Sequence, residues 1–403
     1  MKVLTERKNI FQHSHHAIAL PGAKVFGLLV MFCIPFKACI EPWRADIQEE
    51  YKLLSIEGSL VKGRSEQKVV VSSTSALVNP QFLPLRDCEV VLQDKQGNHY
   101  EFTEDQLGAY VLNIPDEELI VGRQYNLEVI TPKGKVYESA YETMLPGAEV
   151  DTAYYQVEER LDKISGDRHK GVQFYIDLLA SDSISRYFRW KLTETYEYTS
   201  VKPITYVITG DPEEGIVYPQ NQTEFFRCWK TEDIRDLFIS STENLLINEK
   251  KKIPLNYIST DTDRLKYAYS LFIEQYTLSE QAYNYWLKNK NETQESGGLY
   301  TQQPGQPISN IKLRSDSTEQ VLGYFWVSHM TKKRFYYRRI NALPVIGDHC
   351  ELVEFDWLAH ADGPFPRYVW VDDQTGEEWT STNFCFNCTF KGGTLTKPDF
   401  WER

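Results

Sequence analysis

The chain has 403 residues, 41% of them apolar and 25% charged. That is the balance of a folded globular protein rather than a disordered one, and the length suits two domains better than one. A formal net charge of −13 is the wrong sign for a phosphate backbone, so no nucleic-acid partner is expected. Aromatic residues reach 13%, with 25 Tyr, and such residues fit pleated, half-buried surfaces. Carbohydrate or peptide contact would draw on the same side chains, but core and sheet packing accounts for them more simply.

The chain starts with a basic lead, Lys2, Arg7, Lys8 and Lys24. Residues 25–36 follow without a charge, and Lys37 closes the stretch. Twelve apolar residues are too few to span a bilayer as a helix but match the core of a secretory signal peptide. Phe36-Lys37-Ala38-Cys39 sets a small residue directly before a cysteine, as in the bacterial lipobox, where signal peptidase cuts and the new N-terminal cysteine is acylated. Residues 1–38 are therefore expected to be a lipoprotein signal peptide, Cys39 the lipid attachment and residues 39–50 a tether. Phe36 stands where Leu is usual, and Lys37 where a small residue is usual. Cys33 fits worse, because bulky Phe32 precedes it. The leader carries five Lys/Arg and one Glu, which leaves −17 on the rest. No later stretch is long and apolar enough for a membrane helix. The body is expected to be extracytoplasmic and soluble, held by acyl chains alone.

Residues 51–145 read as short strands between turn signals. A stretch from Tyr51 alternates around Leu54, Ile56 and Leu60, and Val69-Val70-Val71 is β-branched. Residues 88–93 follow, then the turn Lys95-Gln96-Gly97-Asn98. Gly108-Ala109-Tyr110-Val111-Leu112 and a stretch over 122–129 complete the set before the turn Pro132-Lys133-Gly134-Lys135. Strands this short and close predict an antiparallel sandwich of immunoglobulin-like or transthyretin-like type. Met144-Leu145-Pro146-Gly147 reads as a boundary.

Residues 148–403 read as a larger β-rich domain with about one helix. Strands are expected over 172–179 and 187–198, joined by a polar turn over 181–185, with an extended aromatic stretch over 265–276. Ser279 looks like an N-cap, Glu280 sits in the first turn, and Ala282, Tyr283, Trp286 and Leu287 share one helical face. Gly297-Gly298 is expected to stop this helix. Further strands are expected over 321–327 and 334–340. The fold class expected is thus mainly β.

Past Cys39 there are five cysteines. Cys88, in an expected strand, reads as a small buried residue. In an oxidising compartment Cys228, Cys350, Cys385 and Cys388 are candidates for disulfides, although Cys385-Phe386-Asn387-Cys388 also has zinc or redox spacing. We expect the C-terminal tail to pack back onto the second domain, with Cys385 or Cys388 bridged to Cys228 or Cys350. Catalytic signatures, phosphate-binding loops and calcium loops are absent from the sequence, and no cofactor or metal is implied. His349 beside Cys350 suggests a base and a nucleophile, but neighbours on a strand point to opposite faces. Neither His349 nor His360 is expected to do chemistry. The acidic pairs Asp372-Asp373 and Glu377-Glu378 read as solvated turns.

The most distinctive segment is the last one. It runs Cys385-Phe386-Asn387-Cys388-Thr389-Phe390-Lys391-Gly392-Gly393-Thr394, then Lys397-Pro398-Asp399-Phe400-Trp401. It resembles the ending of the family called domain of unknown function 4249, lipoproteins of Bacteroidota. Cys228-Trp229 resembles that family's central Cys-Trp, and residues 278–286 its helix. Gln303-Pro304 with Ile308, Asn310 and Ile311 agrees, as does Val321-Leu322-Gly323-Tyr324-Phe325; Ser309 stands where Gly is expected. The resemblance implies an outer-membrane accessory lipoprotein beside a TonB-dependent transporter, with a role in nutrient capture. The expected function is a non-enzymatic, ligand-binding or accessory lipoprotein. The alternative is a secreted hydrolase acting on glycan or peptide.

Overall fold

In the computed structural model, residues 52–75, 81–161, 166–180, 184–209, 215–219, 221–294, 308–338, 349–356 and 367–401 are described. The expected signal peptide, Cys39, the tether, Gly297-Gly298, Gln303-Pro304 and His360 lie outside them. The described chain is mainly β, as expected, and carries one α-helix.

β1 (Leu54–Lys62) and β2 (Glu66–Ser73) form an antiparallel hairpin. Gln67 closes it: its side-chain oxygen accepts from the Val61 N–H at 2.7 Å, and its amide donates to the Val61 carbonyl at 3.0 Å. A wholly buried polar group is thereby satisfied. After β3 (Leu83–Pro84) come β4 (Glu89–Asp94), β5 (His99–Glu101), β6 (Thr103–Gln106), β7 (Ala109–Asn113), β8 (Gln124–Ile130), β9 (Val136–Ser139) and β10 (Glu142–Thr143). Cys88 stands just before β4 rather than within a strand; it is half-buried and unbridged. β2, β7 and β6 extend the sheet of β1, whereas β9, β8, β4 and β5 form a second sheet. Ile56, Leu60, Val69 and Val71 from the first face Val90, Leu92, Leu127 and Val129 from the second, all fully buried. Two apolar faces closed on each other make the sandwich, with roughly 1.5–3 kcal/mol favouring burial of each such side chain.

The chain continues through β11 (Val150–Leu161), β12 (Arg168–Leu179), β13 (Tyr187–Thr199), β14 (Tyr206–Ile208), β15 (Ile216–Val217), β16 (Arg227–Ser241), β17 (Glu249–Ser259) and β18 (Tyr269–Leu278). Helix α1 (Glu280–Gln294) follows. Ser279 caps it as expected, its hydroxyl accepting from the Ala282 N–H at 3.1 Å. The extended stretch expected from 265 starts only at Tyr269, because Asp263–Leu265 forms a 3-10 turn. β19 (Ile311–Leu313) and β20 (Val321–Leu322) lead to β21 (Phe325–Tyr337), one continuous strand where two were expected. β22 (Val353–Glu354), β23 (Tyr368–Val371) and β24 (Glu378–Thr380) join β14 and β15 in a small separate sheet.

The expected boundary near residue 146 does not divide the sheets. β16, β13, β18 and β21 lie side by side, and β21 then pairs in parallel with β1, Gly58 opposite Phe325 and Ser59 opposite Trp326. β19 adds to β9 in the other sheet. The cause is the core: Ile311, Leu313, Phe325 and Val327 fill the same apolar interior as β1 and β2, so residues 51–145 alone leave the sandwich unfilled.

The tail is stapled back. Cys228 is bridged to Cys388 and Cys350 to Cys385, with Cα–Cα distances of 5.8 and 6.0 Å. Trp229 and Thr394 exchange backbone hydrogen bonds at 2.9 and 2.8 Å. Between them the chain turns at Gly392, whose φ of 82° is the left-handed region glycine tolerates. At Gly393 a Cβ would stand 2.3 Å from the Tyr198 hydroxyl, so only glycine lets the tail approach β13. Trp401 is buried against Tyr336, with ring centroids 6.3 Å apart.

Candidate functional site

A cleft of about 550 Å³ lies between α1 and the outer face of the large sheet. Its floor follows from strand alternation. Along β13, Phe188, Trp190 and Leu192 turn into the core, so Arg189 and Lys191 turn the other way. The register sets Arg189 opposite Tyr276 of β18. On β21, Phe325 and Val327 fill the sandwich core while Trp326 faces α1. The helix brings the roof: Ala282 is wholly buried at its base, and Tyr283, Tyr285 and Trp286 pack with it on Tyr276, Tyr324 and Trp326. Leu287, read from sequence on that face, is half-buried.

Arg189 is the central group. Its guanidinium carbon lies 4.0 Å from the Trp286 ring centre, 5.6 Å from Trp326 and 5.8 Å from Tyr276, a cage of cation–π contacts. Among the described residues it has no hydrogen bond or salt bridge, although the Glu274 carboxylate acts on it through its field, and its Nε is buried without a partner, as is the Trp286 indole N–H. Burial pushes the guanidinium down to about 10, so it remains a cation at neutral pH. Arg64, also on the cleft, donates to the Tyr276 hydroxyl at 2.8 Å. Lys68 lies exposed at the rim, and Lys191 is shared with Asp233 at 2.9 Å. Among the described lining residues these four cations meet one carboxylate, the exposed Glu57, with Asp233 and Glu274 acting on Lys191 and Arg189 from outside the lining. In a chain of net charge −13 this is a local reversal of sign.

A second polar cluster differs in kind. Glu194 and Glu232 stand opposite each other on β13 and β16. Burial pushes the Glu194 carboxyl up. Burial acts the same way on Glu232, but hydrogen bonds from Lys230 and Tyr196 hold its carboxyl below the usual range. Opposed shifts are what an acid–base pair shows. Here, however, Glu194 receives Arg264 at 3.0 Å and the Tyr269 hydroxyl at 2.9 Å on separate oxygens. Glu232 receives Lys230 at 2.8 Å and the Tyr196 hydroxyl at 3.0 Å. All four oxygens are engaged, so the cluster reads as an internal ion network.

Comparison with known proteins adds one result. A family model described as "Domain of unknown function (DUF4249)" matches residues 40–334. The chain belongs to the DUF4249 family. The match takes in every residue of the cleft named above, whereas the 385–401 segment, where the resemblance is most distinctive, lies beyond it. No curated protein matches this DUF4249 chain. Among solved structures, a DUF4785 family protein from Legionella pneumophila is similar at 10% identity and a TM-score of 0.15. The alignment covers 55% of this chain and 51% of that one, so the DUF4249 chain spans about half the length of that structure, and the likeness carries no argument.

The site residues expected from sequence fall elsewhere. Cys39, the expected lipid attachment, lies outside the described residues. Cys228, Cys350, Cys385 and Cys388 are the two disulfides, which commits the Cys385–Cys388 pair to bridges instead of zinc or redox work. Cys350 is thereby removed as a nucleophile for the exposed His349. No cluster of metal-ligating side chains occurs among the described residues. Asp372 and Glu377 close a hairpin turn, Asp372 N–H donating to the Glu377 carbonyl at 2.9 Å. Sequence reading found the helix face of the cleft but missed Arg189. The available signal was a cation embedded in the aromatic strand Tyr187-Phe188-Arg189-Trp190.

Proposed function

We propose that this DUF4249 chain is a lipid-anchored, non-enzymatic outer-membrane component that binds a ligand in the cleft under α1 and serves a TonB-dependent nutrient transporter. The observation that carries the ligand-binding part is the pair of unpartnered donors, the Arg189 Nε and the Trp286 indole N–H, buried at the wall of an open cleft. A buried donor without an acceptor costs about 1–3 kcal/mol, so each such group calls for an explanation, and a ligand in the adjoining cleft supplies one. The anchor rests on the apolar leader and on Ala38-Cys39, and the transporter association rests on the family resemblance. Isolation of the native complex from membranes tests the reading. Co-purification with an outer-membrane transporter or a small ligand is the expected result, and a protein always recovered alone and empty contradicts it.

The hydrolase alternative draws on the opposed shifts of Glu194 and Glu232. A catalytic pair needs a free oxygen toward substrate, and both carboxylates spend theirs on Arg264, Tyr269, Tyr196 and Lys230. Loss of a measurable glycan- or peptide-cleaving activity in Glu194→Gln, with folding retained, would restore that alternative.

A further inference from the structure

We infer that the ligand of the cleft carries an oxyanion, a carboxylate or a phosphate, which the Arg189 guanidinium and the Trp286 indole N–H hold between them. The inference rests on the reading of the cleft as a ligand site and adds the chemical class of what enters it. Three independent features select that class. First, both unpartnered groups are donors only, so the missing partner is an acceptor. Second, the described lining is cationic, with Arg64, Lys68 and Arg189 against Glu57, while Lys191 is neutralised by Asp233. A cationic ligand is repelled there, and a neutral apolar one would leave both donors unmet. Third, the central cation is arginine, set over the rings of Trp286, Trp326 and Tyr276. The N–H fork of a guanidinium matches carboxylate and phosphate geometry. Lys68, exposed at the mouth, adds a long-range pull that salt screens. The volume of about 550 Å³ suits a small organic anion.

The test uses the full chain and reads the indole N–H resonance and emission of Trp286, assigned by comparison with Trp286→Phe. Sodium acetate, inorganic phosphate and D-glucuronate are titrated beside D-glucose and ethanol, each at two ionic strengths. The acetate and glucuronate arms separate carboxylate from phosphate as the source of the oxyanion. The expected result is saturable perturbation by at least one anion and by neither neutral compound, weakened at high salt. Lys68→Glu, at an exposed position, should weaken it by about fivefold or more, the scale of one reversed charge near the ligand in water. Arg189→Gln should weaken it by at least about tenfold, the scale of a charge-assisted hydrogen bond. Lys133→Glu, exposed and remote from the lining, should leave it unchanged. Perturbation by glucose equal to that by glucuronate, insensitive to Lys68→Glu, overturns the oxyanion inference and leaves a ligand site standing. No perturbation by any compound up to tens of millimolar overturns both.

Discussion

The Arg189 guanidinium lies 4.0 Å from the centre of the Trp286 ring, and this contact joins β13, next to the edge of the large sheet, to the helix that roofs it. Trp286 also meets Trp326 edge to face at 6.2 Å, and Trp326 meets Tyr276 likewise at 5.4 Å. The helix is therefore docked through the same rings that cage the cation. Shape of the cleft and seating of the helix become one property.

That coupling predicts the behaviour of Trp286→Ala. Truncating a fully buried Trp costs about 3–5 kcal/mol. Trp286 is half-buried, so about 2–4 kcal/mol is expected in chemical denaturation. Trp286→Phe keeps a ring over Arg189 and should lose less than half of that. Equal losses for the two variants would show that the ring does not hold the helix.

The tail predicts a second outcome. The Cys228–Cys388 bridge closes a sequence separation of 160 residues, and a bridge over a long loop contributes about 2–4 kcal/mol. Reductant should lower the melting temperature of the intact protein by several degrees. Deletion of residues 398–403, which removes buried Trp401, should do so in the oxidised protein as well. A deletion that melts like wild type would recast the tail as a surface element.

Acid sensitivity supplies a third. His329 accepts a hydrogen bond from the Gly147 N–H on its Nδ1 at 2.9 Å, which requires the neutral ring. Burial pushes its pKa down, and Lys62 nearby pushes the same way, while Asp116 and Glu149 oppose. A folded-state pKa below the unfolded value means that the unfolded chain binds the proton more readily. The contribution is then present above the ordinary histidine value of about 6.5 and is lost as the pH falls through the depressed folded value. The stability gap between wild type and His329→Asn should shrink as the pH is lowered from 7 to 5. A gap that is constant or widens over that interval contradicts the assignment.

The anchor is a fourth. Cys39→Ala should abolish acyl labelling and release a soluble or mis-sorted protein, and unchanged labelling in that variant would show the lipobox to be misread.

How much of this was legible in the sequence depended on how local the cause was. Ser279 capping α1, the apolar alternation of β1 and β2, and the bridged tail follow from neighbours along the chain or from a few cysteines, and sequence reading reached them. The pairing of Gly58 with Phe325 is different, because period-two alternation tells which face of a strand is apolar but not which strand lies beside it. The expected separation near residue 146 failed to anticipate that shared core for this reason. The cleft failed the same way: Arg189, Trp286 and Trp326 are far apart in sequence, and only the register of β13, β18 and β21 together with the docking of α1 sets them around one point.

The central claim is that the cleft holds a ligand on Arg189, and native mass spectrometry of the protein released from its own membranes tests it most directly. Wild type and Arg189→Gln would be compared side by side, with circular dichroism confirming that the variant is folded. The account predicts a wild-type population carrying a bound small molecule that is absent or sharply reduced in Arg189→Gln. A wild type that is uniformly empty, or a bound molecule retained equally by both, would contradict it.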